Sequence, residues 1–236
     1  YPPVIIDKDD TEEYRLLPFR SPAALEVFRY AEQAAIERRR DPQDDIITDL
    51  LAAEPDGRPL TDLEFKNFFT LLMVAGNETT RHTISHGLMY LDEHPRKTDW
   101  WKQDPAGRSE IATEEIVRAS SVTMHFRRTA MEDTEIRDVP IAKGDRVVMW
   151  YTSANYDEDV FEEPFEFDLE RKPNNHLAFG TGRHVCLGAS LARLEVRIVF
   201  EELLSRLAGF EVGEPDWLRS NFISGIKHLP VRVHLN

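Results

Sequence analysis

One run of residues narrows the possible folds more than any other. From Thr61 to the His94-Pro95 step no proline interrupts a helical pattern, and Thr61-Asp62-Leu63-Glu64 has the hydroxyl-to-carboxylate spacing of a capping box. Roughly thirty residues at 1.5 Å each give a rod of about 45 Å, enough to cross a whole domain. Such a helix has to be central. Phe68 to Val74 is apolar nearly all round and predicts burial on every side. Ala75-Gly76-Asn77-Glu78-Thr79-Thr80 then sets small and polar residues in mid-helix, where glycine costs stability and a buried carboxylate needs a partner. The stretch reads either as a kink with satisfied polar groups or as a local widening. In the second case a small ligand would bind beside an acid and an alcohol that can pass protons.

The only cysteine among 236 residues is Cys186, which excludes an intrachain disulfide and fits a reducing, cytoplasmic setting. Lone cysteines commonly serve as small buried hydrophobes. The surroundings of this one argue for ligation. It lies in Phe179-Gly180-Thr181-Gly182-Arg183-His184-Val185-Cys186-Leu187-Gly188. The first two glycines let backbone pass close to a flat cofactor. The run opens onto a helix whose apolar stripe is read as Leu187, Leu191, Leu194, Ile198 and Leu203. A cysteine just before a helix N-terminus, with the amides of Leu187 and Gly188 near its sulfur, is favoured as thiolate. Cys186 is therefore the candidate metal ligand, for iron.

The formal net charge of −14, from 43 acidic and 29 basic residues, opposes contact with nucleic acid. No apolar run of about 18 residues predicts a membrane span. The sequence begins at Tyr1, without methionine and within a pattern, so an incomplete chain is expected.

Tyr1 to Arg20 reads as an extended surface segment. Helices are expected from Ser21-Pro22 to Arg40 and from Ile46 to Ala53, with a turn at Pro55-Asp56-Gly57. Arg96 to Gly107 reads as a polar linker pinned by Trp100-Trp101. A short helix follows, on which Glu115 and Arg118 share a face. Strands are expected over Val122–Ala130, in a hairpin of Ile136–Ile141 with Arg146–Trp150 turning at Lys143-Gly144-Asp145, and over Phe210–Val212 and Leu229–Leu235. Asp157 to Asn175 reads as an irregular meander. His82 and His86 stand four apart, but with no evident third ligand they are read as packed or polar-face histidines. The fold class is mainly α with small β-sheets.

Phenylalanine seven before Cys186, glycine four before, a basic residue two before and glycine two after, continuing into Ala189, Leu191, Ala192 and Arg193, closely resemble the signature of the haem-thiolate monooxygenases, the cytochrome P-450 family. The resemblance implies that residues 1–236 form a partial haem-binding and oxygen-activating domain, the N-terminal part of the fold being absent. It implies haem b (iron protoporphyrin IX) with Cys186 as axial ligand, and Phe179, Gly180, Gly188, Ala75 and Gly76 around the cofactor. Arg128 and His184 would meet its propionates. Ala75, Gly76, Glu78 and Thr79 match the family's oxygen groove, which assigns Thr79 to hydrogen-bond dioxygen and Glu78 to relay protons. Glu115, Arg118 and Arg171 match a structural triad that pins the cysteine loop. Val122, Thr123 and Met124 would line the substrate pocket, and Phe222 and Ile223 are candidate contacts in the last turn. Val122 stands where the family commonly has proline.

The implied reaction is insertion of one oxygen atom from O2 into a C–H bond of an apolar small molecule of the steroid, branched-lipid or terpenoid class. Electrons would come from a separate ferredoxin-type protein docked near Arg183. Other readings are a peroxide-driven or rearranging haem-thiolate enzyme, or an inactive haem-binding fragment. If these residues were the whole polypeptide, weak haem retention and poor coupling would be expected.

Overall fold

A computed structural model of the chain describes residues 22–55 and 57–235. The segment read as extended, Tyr1–Arg20, and residues Ser21 and Asp56 lie outside the described residues. The chain divides into two compact units at Asn77/Glu78.

In the first unit, α1 (Pro22–Arg40) and α2 (Ile46–Ala52) follow the expected bounds closely. Asp45 caps α2, its Oδ1 accepting the Thr48 N–H at 2.9 Å. Ala31 and Ala35 of α1 pack with Phe65 and Phe69 at the start of α3 (Asp62–Glu93). Alanines on α1 leave room for the two phenylalanine rings, whose centroids lie 6.1 Å apart. The capping box forms as read. The Thr61 N–H donates to Glu64 Oε2 at 2.8 Å and the Glu64 N–H to Thr61 Oγ1 at 3.2 Å. Arg58 grips the same carboxylate from outside, at 2.8 and 2.7 Å.

Burial of α3 on every side does not hold. Phe69 and Thr70 are buried, whereas Leu71, Met73 and Val74 are exposed. α1 and α2 cover one side of the helix, and among the described residues of this unit that is the side occupied by Phe65 and Phe69. α3 is α-helical without interruption through Gly76 and Glu78.

The second unit is built on α4 (Pro95–Lys102), α5 (Pro105–Ser120) and α7 (Ala189–Arg206), together with the later part of α3. The polar linker read over 96–107 is mostly helix. Pro95 and Pro105 each take the first helical position, where a missing N–H costs nothing, and Asp104 caps α5 through the Gly107 N–H at 3.0 Å. Trp101 pins this stretch, as expected, and stands in the core. Its ring lies 5.4 Å from Phe200, among Leu91, Ala112, Ile116, Val196 and Leu204. Gly87 of α3 lies against the same core. A Cβ there would sit 2.6 Å from Phe200 Cζ and 3.1 Å from Ile116 Cδ1, so only glycine admits this approach.

The apolar stripe of α7 also differs from expectation. Val196, Phe200 and Leu204 form its buried face, and Leu191, Leu194 and Ile198 are exposed. Both sets repeat at helical spacing, so periodicity alone does not distinguish the face packed on α5 from the opposite one.

The small sheets are two-stranded. β1 (His125–Thr129) pairs antiparallel with β4 (Arg146–Trp150), and β2 (Thr134–Ile136) pairs with β3 (Val139–Ile141). The expected hairpin between the third and fourth strands is therefore replaced by two pairings. Arg137 and Asp138 both have positive φ, 47° and 65°, and so close a two-residue turn of their own ahead of the Gly144 turn. After β4 come the single turn α6 (Tyr151–Ala154) and the meander to Asn175. β5 (Leu207–Val212) and β8 (Val231–Leu235), strands expected over 210–212 and 229–235, pair with each other, and β6 (Asp216–Trp217) pairs with β7 (Ile226–His228). Among the described residues no helix is long and apolar enough to cross a membrane.

Candidate functional site

A buried charge cluster fixes the meander that leads to the cysteine segment. Glu115 on α5 is fully buried, Arg118 is 1% exposed and Arg171 is 7% exposed. Arg118 donates from Nε and Nη2 to both Glu115 oxygens at 2.8 Å, and Arg171 Nε reaches Glu115 Oε2 at 3.2 Å. Two guanidinium groups share one carboxylate, so the surplus donors need acceptors. The meander supplies them as backbone carbonyls. Arg118 donates to Asn155 O and Pro164 O at 2.7 and 3.0 Å, and Arg171 to Glu162 O and Glu166 O at 2.6 and 2.8 Å. A segment without helix or strand thus has its carbonyls fixed by side chains.

Asn155, fully buried, carries that order towards the cysteine. Its Oδ1 accepts the Leu177 N–H at 2.6 Å and its Nδ2 donates to Ser121 Oγ at 2.8 Å. A second cluster stands beside the first. Glu114 accepts from Arg193 Nε of α7 at 2.6 Å and lies 3.0 Å from His176 Nε2. Burial pushes the Glu114 carboxyl up, but the hydrogen bonds from His176 and Arg193 outweigh it and hold the pKa at about 2. The Arg193 guanidinium also lies 4.5 Å from the Phe179 ring centroid. Sequence reasoning missed Asn155, Glu114 and His176. Only the adjacency of Glu114 to Glu115 could have signalled one of them.

On this base Phe179 to Gly188 forms a closed loop. The Cys186 N–H donates to Phe179 O at 2.8 Å, and Gly182–His184 makes one 3-10 turn closed by the Val185 N–H on Gly182 O at 3.1 Å. Gly180 and Gly182 have φ of +67° and +70°, which side chains rarely adopt. At Gly180 a Cβ would also lie 3.1 Å from the Tyr151 hydroxyl. Gly188 precedes the first residue of α7 and has open space where a Cβ would project.

Cys186 is exposed as a free thiol. Around it in sequence Val185, Leu187 and Leu191 are also exposed, Leu187 to 79%. Arg128, on β1, is half-buried and donates to Arg127 O at 3.2 Å; among the described residues neither it nor the exposed His184 and Arg183 forms an ion pair with a carboxylate. One soft thiol donor, apolar side chains open on the same segment, and basic side chains without acidic partners among the described residues fit a flat apolar group that carries carboxylates, as iron protoporphyrin does. Among the described residues no cluster of three or more His, Cys, Asp and Glu side chains could hold a metal ion.

The residues read as an oxygen groove lie along α3. Ala75 and Gly76 are exposed on the first unit's part of the helix, and a Cβ at Gly76 would meet nothing within 4 Å. Glu78 is 49% exposed, not buried, and faces Arg81 at 3.7 Å. Thr79 is half-buried, and its carbonyl accepts the Thr83 hydroxyl at 3.0 Å.

The residues read as substrate contacts come together. Thr123 and Ile223 form an isolated antiparallel bridge, the Met124 N–H donates to Phe222 O at 2.9 Å and the Ser224 N–H to Val122 O at 2.8 Å. Val122 is buried within this ribbon. Phe222 is partly exposed and stacks edge-on with Phe126 at 5.5 Å.

The family model for Cytochrome P450 matches residues 22–102 and 110–216. The chain is 47% identical over 211 residues to a steroid C26-monooxygenase of Rhodococcus jostii, covering 89% of this chain and 44% of that protein. It is 47% identical over 210 residues to a methyl-branched lipid omega-hydroxylase of Mycobacterium tuberculosis, covering 88% and 49%. Among solved structures it is similar to a Mycobacterium marinum cytochrome P450 in complex with pseudoionone, with TM-score 0.84, 41% identity and coverage of 92% of this chain and 56% of that one. A Bacillus megaterium cytochrome P450 in complex with testosterone gives 0.84, 36%, 91% and 59%. The chain spans about half the length of the curated relatives it matches. With a thiol loop, a Glu-Arg-Arg cluster and a profile match over most of its length, the chain belongs to the cytochrome P450 family.

Proposed function

We propose that the protein of which this chain is part is a haem-dependent monooxygenase that inserts one oxygen atom from O2 into a C–H bond of an apolar substrate. The observation that carries this reading is the exposed Cys186 thiol on a loop closed by its own amide and backed by the Glu115 cluster. Steroid and methyl-branched lipid chemistry in the named relatives supports the substrate class. When bound, haem would supply the activation of dioxygen, with Cys186 as its protein ligand.

The chain's own residues do the rest. Cys186 would hold the iron, Phe179, Gly180 and Gly188 would leave room for the ring, and Arg128 and His184 would meet the propionates. Thr79 presents a hydroxyl to the oxygen site. Glu78, open to solvent and beside Arg81, brings protons in from water. Ala75 and Gly76 keep side-chain bulk away from that part of α3. Val122, Thr123, Met124, Phe222 and Ile223 form an apolar edge that holds the substrate and excludes water. Electrons come from a separate ferredoxin-type protein, with Arg183 at the docking face, and the setting is cytoplasmic.

The test is the absorption spectrum of the reduced haem-loaded protein with carbon monoxide. A strongly red-shifted Soret band, lost in Cys186→Ser, is expected; the same band in both proteins would remove thiolate ligation. Thr79→Ala is expected to divert consumed oxygen to hydrogen peroxide, and unchanged coupling would refute its role. Arg183→Glu is expected to slow reduction by an acidic ferredoxin at low salt, and an unchanged rate would move the docking face elsewhere.

A further inference from the structure

His82 and His86, three and seven residues beyond Thr79, are both buried on α3 and both engage the terminal turn. His82 Nδ1 accepts the Ile226 N–H at 3.2 Å, and His86 Nε2 lies 3.0 Å from Ser224 O. A carbonyl only accepts, so His86 donates from Nε2, while His82 must be unprotonated at Nδ1 to accept from an amide. Burial lowers the pKa of both rings, which keeps them neutral. Between the two anchored residues Gly225 has no room for a side chain. A Cβ there would lie 2.9 Å from His82 Nε2 and 3.0 Å from Leu218 Cδ2. The Leu218 N–H donates to Gly225 O at 2.8 Å and the Trp217 ring lies 5.6 Å from His86, so the turn is gripped from both sides.

We propose that His82 and His86 are positioning residues for the substrate edge. By clamping Ser224 and Ile226 to the helix that carries Glu78 and Thr79, they set the placement of Phe222 and Ile223 and of the Val122–Met124 ribbon bridged to them. This rests on the reading of those residues as substrate contacts. Helix and substrate edge are thereby tied through two side-chain hydrogen bonds from one helix face, rather than through a shared sheet. Neither histidine touches substrate or cofactor in this assignment.

The clamp makes a specific demand on substitutes. An asparagine carries an acceptor where Nδ1 of histidine stands, and a glutamine a donor where Nε2 stands. In the haem-loaded protein, His82→Leu is expected to weaken binding of pseudoionone and testosterone, read from the Soret shift, roughly tenfold, with His82→Asn close to wild type. His86→Leu and His86→Gln are expected to form the same contrast. Amide exchange provides the second readout. In His82→Leu it is expected to rise at Ile226, Ser224 and Met124 while α5 stays protected. If His82→Leu does not fold, Gly225→Ala decides, because its methyl displaces the turn without removing a donor or acceptor, and the same loss of binding is expected.

Equal binding by the leucine and asparagine variants, or wild-type binding by Gly225→Ala, overturns the inference alone. Exchange that rises throughout the unit shows a general scaffold role and overturns it as well. A wild-type Soret band that neither compound perturbs overturns the substrate reading beneath it.

Discussion

The Glu115 cluster and the Cys186 loop are neighbours in the fold and opposites in chemistry. In the cluster three buried charged side chains use nearly all their donors and acceptors on one another and on meander carbonyls. In the loop a thiol and several large apolar side chains stand exposed, next to cations without carboxylate partners among the described residues. The first arrangement is satisfied by the chain itself. The second has the character of a binding surface, because exposed leucine and valine beside free positive charge gain nothing from the rest of the protein. On the proposed reading the contrast divides the labour, with stability assigned to the cluster and ligand affinity to the loop.

Removing the carboxylate at the centre of the cluster breaks the comparison most severely. Glu115→Ala leaves Arg118 and Arg171 as buried cations and is expected to cost about 3–5 kcal/mol in urea unfolding. A loss below about 1 kcal/mol would show that the cluster is not the stabilising region. Asn155→Ala strips the Leu177 amide and Ser121 hydroxyl of buried partners and is expected to cost about 1–3 kcal/mol. Because Leu177 leads into the loop, the thiolate spectrum should weaken with it.

Acid sharpens the comparison next. The Glu114 pKa is depressed, so its contribution to stability is complete above about pH 4.5 and is lost as pH falls through about 2. Glu114→Gln is expected to flatten that part of the acid-unfolding curve, and an unchanged curve would deny the pairing with Arg193 and His176. The smallest stability effect belongs to the loop. Leu187→Ser is expected to change stability by less than about 0.5 kcal/mol while haem retention, measured by transfer to apomyoglobin, falls.

Local chemistry was legible in the sequence wherever one residue type does one job. The Thr61–Glu64 box, the end of α3 before Pro95 and the bounds of α1 and α2 follow from caps and prolines. The Glu-x-x-Arg pair could be seen because its partners are three apart on one helix. What failed needed knowledge of the neighbour. Leu191, Leu194 and Ile198 form as good a stripe as Val196, Phe200 and Leu204, and only the position of α5 shows which one is buried. Polar residues over 96–107 concealed most of α4 and the start of α5, since the packing there rests on a few residues, Thr98, Trp100 and Trp101. The β1–β4 pairing joins strands with another hairpin between them, and the positive φ of Arg137 and Asp138 is not a property of arginine that composition reveals. The histidine clamp was invisible for a related reason: its partners are backbone atoms about 140 positions away.

Gly87 sets how closely α3 approaches α7. One helix bears Thr79 and the other begins just past Cys186, and at Gly87 a hydrogen atom faces Phe200 of α7 and Ile116 of α5 where any other residue would bring carbon. A single added methyl would act as a shim, prising the alcohol-bearing rod from the one that starts at the sulfur. The spacing of these two helices is therefore fixed two turns along from Thr79, at a residue with no reactive group.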